Sequence, residues 1–254
     1  MLQQACTFAT PHRRGSRGKL DTLRYLRFLP FEYGVDPKVR WPLILFLHGA
    51  GERGHDLKQL LSHGLPKLVE EQEDFPFIVI SPQCPEGSFW YRQLGVLSAL
   101  VEHAAGTLAV DPSRIYLTGL SMGGFGTWHL AARHPGWFAA IVPICGGGLA
   151  SHGFPGKVRA LRDVPVWSFH GALDTIVRPE ESQRLVDELR SAGGRVEHTL
   201  YPDAKHDSWT RTYENPALYE WLLSHRRKLP SGERISEPPP GNAQRGPRRP
   251  GSRR

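Results

Sequence analysis

The sequence Gly-Leu-Ser-Met-Gly at residues 119–123 is the feature that most restricts how this chain can fold. It follows an apolar, β-prone segment (115–118) and leads into a segment compatible with a helix (122–134). A serine held in a sharp turn between a strand and a helix stands clear of its own backbone. The flanking glycines are needed because neighbouring backbone comes too close for a Cβ. The pattern predicts a strand–turn–helix unit with Ser121 as a candidate nucleophile.

Two residues further along the chain are suited to activate this serine. A serine nucleophile needs a base, and the base needs an acid that orients it. Asp174 lies in the loop after a predicted strand (166–169), 53 positions beyond Ser121. His206 lies another 32 positions on, after a second predicted strand (196–201). The order Ser, Asp, His is the order found in hydrolases with such a turn, so we expect these three residues to form a catalytic triad.

The chain offers another role for the acid and other histidines for the base. Asp174 would also suit the capping of a helix that begins near Pro179, because aspartate is favoured at helix N-termini. His198 lies inside a strand and would point along a fixed face. His48 and His170 lie at strand ends, where hydrogen bonds that support the loops are the simpler role. Asp174 therefore remains the candidate acid, and His206, which lies in a loop, remains the candidate base.

A glycine-rich loop is the candidate oxyanion hole. Residues 48–54, with the sequence His-Gly-Ala-Gly-Glu-Arg-Gly, interrupt an apolar segment that is predicted as a strand (43–47). Such a loop can direct a backbone N–H at a developing oxyanion. We expect the N–H groups of Ala50 and Met122 to serve, with Gly51 as the substitute for Ala50. The spacing matches neither of the two common glycine-rich phosphate loops, which weakens a phosphate-binding interpretation.

Four side chains near these motifs are expected to shape the site. Trp90 follows a predicted strand and Trp209 follows the candidate base, and both loops leave strand ends on the edge where open α/β sheets bind ligands. Both tryptophans are therefore candidate substrate-binding residues. Core packing is the alternative, because large aromatic residues usually serve cores. Glu52 and Arg53 are expected to pair with each other and stiffen the glycine-rich loop.

Several blocks of the chain, taken together in order, resemble the α/β-hydrolase superfamily. These blocks are residues 48–54, 114–128 and 170–174 with His206. Within the superfamily the pattern is similar to single-domain esterases and predicted peptidases related to the phospholipase/carboxylesterase, feruloyl esterase and polyhydroxybutyrate depolymerase groups. The resemblance spans roughly residues 20–229. It implies serine nucleophile chemistry and no cofactor, and it implies much less about the substrate.

The alternation of strand-like and helix-like segments predicts an α/β fold with a mostly parallel central sheet and helices on both faces. Many relatives carry a lid domain inserted after the sixth strand. Here only residues 149–163 lie between Gly148 and the strand that opens at Val164, and this segment is too short for a helical cap. We therefore expect no sizeable lid domain and an open site. The predicted strands are 24–31, 43–47, 77–81, 115–118, 138–144, 166–169 and 196–201, and the predicted helices are 57–72, 92–109, 122–134, 179–192 and 214–228.

The net charge of +7 comes from the two ends of the chain. Residues 1–19 and residues 230–254 each carry a net charge of +4, which leaves −1 for the segment between them. We expect a basic N-terminal extension (1–19), an α/β-hydrolase catalytic domain (20–229) and a disordered Pro/Arg-rich tail (230–254). A nearly neutral catalytic domain does not indicate nucleic-acid binding. The expected partner is a small-molecule ester, and the sequence does not determine the oligomeric state.

Cysteine usage and hydropathy indicate the compartment. Cys6, Cys84 and Cys145 are too few for a disulfide framework, and no metal-ligand spacing appears. The first 18 residues lack the apolar centre of a signal peptide, and no window approaches the ~20 apolar residues of a membrane span. We expect a cytoplasmic enzyme with reduced cysteines that needs no metal or cofactor and does not enter a membrane.

The expected function is a serine hydrolase that cleaves carboxylic esters through an acyl-enzyme intermediate. A serine peptidase or an acyltransferase that uses the same triad is an alternative, because triad geometry serves all three reactions. Esters are favoured since the peptidases of this superfamily generally have an added domain that screens or orients the peptide. From another class, the alternative is a non-catalytic binding protein that has kept the fold.

Overall fold

A sheet of eight strands forms the centre of the protein; the computed structural model describes residues 2–10 and 22–229. The strands are β1 (Gln4–Ala9), β2 (Thr22–Phe28), β3 (Trp41–Leu47), β4 (Ile78–Pro82), β5 (Val110–Leu120), β6 (Ala140–Ile144), β7 (Val166–Gly171) and β8 (Val196–Tyr201). They lie in the order β1-β2-β4-β3-β5-β6-β7-β8. Strands β3 to β8 are parallel, and β2 runs antiparallel to β1 and β4. The predicted, mostly parallel sheet is confirmed.

Helices cover both faces of this sheet. They are α1 (Gly64–Leu68), α2 (Leu94–Thr107), α3 (Met122–Arg133), α4 (Glu180–Ser191), α5 (Trp209–Tyr213) and α6 (Pro216–Leu223). Along β3, the side chains of Leu43, Leu45 and Leu47 enter one hydrophobic core. The intervening Ile44 and Phe46 enter a second core on the opposite face. Because successive side chains of a strand point to opposite faces, a strand that is apolar throughout must be covered on both sides.

The N-terminal boundary of the domain differs from the prediction. Residues 4–9 form β1 and pair with β2, with Cys6 opposite Tyr25. The Phe8 side chain is buried in the core, where its ring lies 5.1 Å from that of His103. The interpretation of residues 1–19 as an extension outside the domain is therefore wrong for this segment. Its polar and small residues show little apolar pattern, so the strand depends on the free edge of β2. The predicted tail lies outside the described residues.

Two predicted helices differ most from those in the structure. The segment 57–72 divides into a 3-10 helix (Leu57–Ser62) and α1, which begins at Gly64 with a positive φ of 66°. The last helix ends at Leu223 instead of residue 228.

The connection from β6 to β7 contains two short 3-10 helices, Ala150–His152 and Gly156–Leu161. No inserted lid lies between these strands, which agrees with the prediction. Cys84 and Cys145 are buried free thiols. Within residues 2–10 and 22–229, no helix has the length and apolar character needed to cross a membrane.

Candidate active site

The turn between β5 and α3 holds Ser121 in an unusual backbone conformation. Its φ is 53° and its ψ is −117°, which is costly for a residue with a side chain. The flanking glycines make this turn possible. A Cβ on Gly123 would lie 1.9 Å from the carbonyl oxygen of Leu47, and one on Gly119 would lie 2.5 Å from that of Gly123. The Ser121 N–H donates to the carbonyl oxygen of Ile144 at 3.0 Å, which anchors the turn to β6.

The three predicted triad residues lie in one hydrogen-bonded row. His206 Nε2 is 3.0 Å from Ser121 Oγ, and His206 Nδ1 is 2.7 Å from Asp174 Oδ2. Asp174 Oδ1 accepts the N–H groups of Ile176 at 2.8 Å and Val177 at 3.0 Å. Burial raises the pKa of Asp174, but the hydrogen bonds from His206 and from these two amides outweigh it, so the pKa lies below its ordinary value. An ionised Asp174 therefore faces Nδ1–H, and the unprotonated Nε2 lies next to the Ser121 hydroxyl.

A second histidine holds the same carboxylate from behind. His170 is fully buried, and its Nε2 lies 3.2 Å from Asp174 Oδ2 and 2.9 Å from the carbonyl oxygen of Val177. Both partners are acceptors, so His170 Nε2 must carry a proton. Its Nδ1 lies 2.8 Å from Ser182 Oγ. Burial lowers the pKa of His170, although its bonds to Val177 and Asp174 oppose the shift. The supporting role expected for this histidine agrees with these contacts.

The glycine-rich loop lies beside Ser121. A Cβ on Gly49 would be 3.8 Å from Ser121 Cβ. Ala50 and Gly51 follow at the exposed tip of the loop. Met122 is the first residue of α3, so its N–H has no acceptor within the helix. The structure therefore brings the glycine-rich loop, at Gly49, and the N–H of Met122 next to the serine.

His48 determines the shape of the loop. The N–H of Cys84 donates to His48 Nε2 at 2.9 Å, so the imidazole proton is on Nδ1. That Nδ1 lies 2.6 Å from the carbonyl oxygen of Gly49 and 3.6 Å from Glu52 Oε2. Burial raises the pKa of Glu52, but the nearby Nδ1–H of His48 outweighs it, so the pKa is lowered. The expected pairing of Glu52 with Arg53 is wrong, because Glu52 pairs with His48.

The two candidate pocket tryptophans have different positions. Trp90 is fully buried, and its Nε1–H donates to the carbonyl oxygen of His48 at 2.9 Å. It supports the loop from below, so its prediction as a substrate-binding residue is wrong. Trp209 is half-buried, and its ring meets that of His206 edge to face at 5.3 Å. The Trp209 ring also meets the ring of His63, with centroids 5.7 Å apart.

A cavity of about 120 Å³ lies between α1 and α5. His63, Lys67, Glu71 and Thr210 are among the residues that line it, and none of the triad residues does so. Trp209 thus contacts both His63, which lines the cavity, and His206. In the described ranges 2–10 and 22–229, no group of three or more His, Cys, Asp or Glu residues could hold a metal ion.

The fold and the row of serine, histidine and aspartate define the class of protein. A solved structure described as a thermostable esterase superposes with a TM-score of 0.74 at 33% identity. The match covers 89% of this chain and 63% of that chain. The protein has the α/β-hydrolase fold.

The sequence profile of the phospholipase/carboxylesterase family matches residues 75–217, and the chain belongs to that family. A bifunctional acetylxylan esterase/xylanase of Neocallimastix patriciarum is 25% identical over 185 residues, which are 71% of this chain and 26% of that protein. A poly(3-hydroxyoctanoate) depolymerase of Pseudomonas fluorescens is 28% identical over 220 residues, which are 76% of this chain and 77% of that protein. The chain thus spans about a quarter of the first relative and 63% of the thermostable esterase.

Proposed function

We propose that the protein is a serine hydrolase that cleaves carboxylic esters through an acyl-enzyme intermediate. The observation that carries this proposal is the hydrogen-bonded row of Ser121, His206 and Asp174, with distances of 3.0 and 2.7 Å. A structural serine would need no strained turn, and a solvated histidine would need no buried carboxylate behind it. The arrangement suits the transfer of a proton from the serine hydroxyl to the imidazole.

In the proposed reaction, Ser121 Oγ attacks the ester carbonyl while His206 Nε2 takes its proton. Asp174 holds the imidazole in the required tautomer and stabilises the cation that forms. The N–H groups of Met122 and of Ala50, with Gly51 as the alternative, stabilise the oxyanion. His206 then gives its proton to the leaving alcohol, and the acyl group remains on the serine. Water, activated by the same imidazole, releases the acid and restores the serine.

Esters are favoured over peptides by the relatives. The three reported relatives are an esterase, a protein with acetylxylan esterase activity and a polyester depolymerase by their descriptions. The connection from β6 to β7 adds only two short helical turns above the sheet. A substrate can therefore approach the serine without the movement of an inserted lid. A serine peptidase on the same triad remains the second candidate, because the geometry of the three residues serves both reactions.

The test compares wild-type protein with Ser121→Ala and with Ser191→Ala, an exposed serine on α4 as the matched control. Fluorophosphonate should add once to the wild type and to the control, and not to Ser121→Ala, as measured by intact mass. Turnover of para-nitrophenyl acetate should fall on the order of 10⁶-fold in Ser121→Ala. Faster hydrolysis of the matching para-nitroanilide would favour the peptidase. A folded wild-type protein that forms no adduct would contradict the proposal and favour a binding protein.

A further inference from the structure

Two arginines and two aromatic rings form a surface cluster beside the glycine-rich loop. The rings of Phe89 and Tyr91 stack with centroids 5.4 Å apart and an interplanar angle of 16°. Arg53 Cζ lies 5.3 Å from the centre of the Phe89 ring. Arg92 Cζ lies 5.9 Å from the Phe89 ring and 5.8 Å from the Tyr91 ring. We call these four residues, Arg53, Phe89, Tyr91 and Arg92, the arginine shelf.

The buried Trp90 places the shelf at the surface. It lies between Phe89 and Tyr91 in the chain and packs into the core, where the absence of a side chain at Gly126 makes room for it. A Cβ at Gly126 would lie 2.7 Å from Trp90 Cβ. Phe89 is 36% exposed, whereas the adjacent Trp90 is fully buried. The core therefore holds the two outer rings in position before any ligand arrives.

One end of the shelf, Arg53, belongs to the candidate oxyanion loop. Arg53 Nε donates to the carbonyl oxygen of Ala50 at 2.9 Å, and Arg53 Nη1 donates to that of Ser88 at 3.3 Å. The preceding residue of the loop, Gly49, approaches Ser121 closely. Arg53 is therefore tied to the same loop that approaches Ser121.

The other end of the shelf lies along α3. Phe125 and His129 follow Ser121 at intervals of four residues and so share one face of the helix. The Tyr91 ring is 6.0 Å from that of His129. Eight residues of α-helix span about 12 Å. The Tyr91 end of the shelf therefore lies beside a residue about 12 Å along α3 from Ser121.

The arginines of the shelf have no acidic partner. In the described part of the chain, no carboxylate lies within 4.0 Å of either guanidinium. Arg53 uses Nε and Nη1 for the carbonyl oxygens of Ala50 and Ser88, so Arg92 is the guanidinium that offers a ligand the N–H groups of its edge while it lies over the rings. The planar, two-pronged shape of that edge matches a carboxylate.

We propose that the arginine shelf binds a carboxylate carried by the ester substrate, so that the enzyme selects esters with a negatively charged group. This inference rests on the proposed ester hydrolysis at Ser121. The carboxylate belongs to either the acid part or the alcohol part of the ester, and the test has an arm for each. The contact between this carboxylate and the shelf lies away from the reacting bond. Its loss should therefore raise KM more than it lowers kcat.

The first measurement is of binding and does not depend on turnover. In a Ser121→Ala background, calorimetry compares the monoester of suberic acid with para-nitrophenol against para-nitrophenyl octanoate, which has the same chain length without the charge. The charged ester should bind more tightly, and Arg92→Gln should remove about tenfold of that preference. Arg190→Gln removes the same charge from α4 and is the matched control, which should leave the preference unchanged.

The second measurement is of hydrolysis by otherwise wild-type protein. The acid arm uses the same two esters, and the alcohol arm compares the acetyl esters of para-hydroxybenzoic acid and para-hydroxybenzamide. The arm in which Arg92→Gln lowers the charged-to-neutral ratio of kcat/KM identifies the part that carries the carboxylate. That ratio should also fall with added salt. The inference is overturned if Arg92→Gln keeps the wild-type preference in binding and in both arms. If the charged ester binds more tightly but the wild-type protein hydrolyses no ester, the proposed ester hydrolysis is refuted and the carboxylate site stands.

Discussion

A single methyl group at Gly123 should disturb both the fold and the chemistry of the proposed site. In Gly123→Ala, the new Cβ would lie 1.9 Å from the carbonyl oxygen of Leu47 and 2.8 Å from that of His48. Both atoms belong to backbone and cannot rotate away as a flexible side chain would. Real Cβ contacts stay beyond 3.0 Å, so the end of β3 and the start of α3 must separate by about 1 Å.

This separation acts where the site is assembled. The end of β3 leads into the glycine-rich loop, and the start of α3 carries Ser121 and the N–H of Met122. A misplacement of about 1 Å costs on the order of 10²-fold in rate. Overpacking of a tightly packed region typically costs about 1–3 kcal/mol of stability. We therefore expect Gly123→Ala to lose on the order of 10² in kcat and up to about 3 kcal/mol in the free energy of unfolding.

The assay measures ester turnover and denaturant unfolding of Gly123→Ala beside Gly136→Ala. The Cβ added at Gly136 has no atom within 4 Å, so this control should keep wild-type turnover and stability. If Gly123→Ala also kept both, the turn would tolerate a side chain at this position, and the close approach could not be the reason for the glycine.

Two further predictions concern buried titratable groups. Burial, with a smaller contribution from the charges of His152 and Lys157, lowers the pKa of His129 to about 4. In the unfolded chain this histidine takes up a proton near pH 6.5, whereas in the folded protein it stays neutral down to about pH 4. The free energy of unfolding is therefore highest above pH 6.5 and falls by up to about 3 kcal/mol as the pH falls towards 4. Denaturant unfolding at pH 7 and pH 4.5 should show this loss in the wild type and a smaller one in His129→Leu, and equal losses would contradict it. The lowered pKa of Asp174 also makes the protein less stable in acid. Its contribution to the free energy of unfolding is present above the ordinary carboxylate pKa and is lost as the pH falls through the pKa of the folded protein. Asp174→Asn should flatten that acid-side loss and lower kcat about 10⁴-fold through the wrong imidazole tautomer, whereas kcat near wild type would remove Asp174 from the triad.

Much of the fold could be read from local pattern. The apolar run at the end of β3 and the glycines around Ser121 predict a buried strand and a sharp turn, because period and steric demand are properties of neighbouring residues. The order of serine, aspartate and histidine could also be read directly. Strand β1 could not, because residues 4–9 have little apolar pattern of their own and gain their hydrogen bonds from β2.

The direction of individual side chains was decided only by packing. Trp90 and Trp209 both follow strand ends and carry similar sequence signals, yet Trp90 fills a space left by Gly126 and Trp209 meets His206. Likewise, the Glu52 carboxylate turned to His48 rather than to the adjacent arginine.

The sequence by itself determined which chemical groups are available and the order of the strands and helices that carry them. Only the tertiary structure decided that Ser121, His206 and Asp174 meet within 3.0 Å, and that His170 holds the same carboxylate. Local pattern reports whether a side chain faces core or solvent. It does not report which residue from a distant segment it will meet, because that depends on how the whole sheet and its helices pack together.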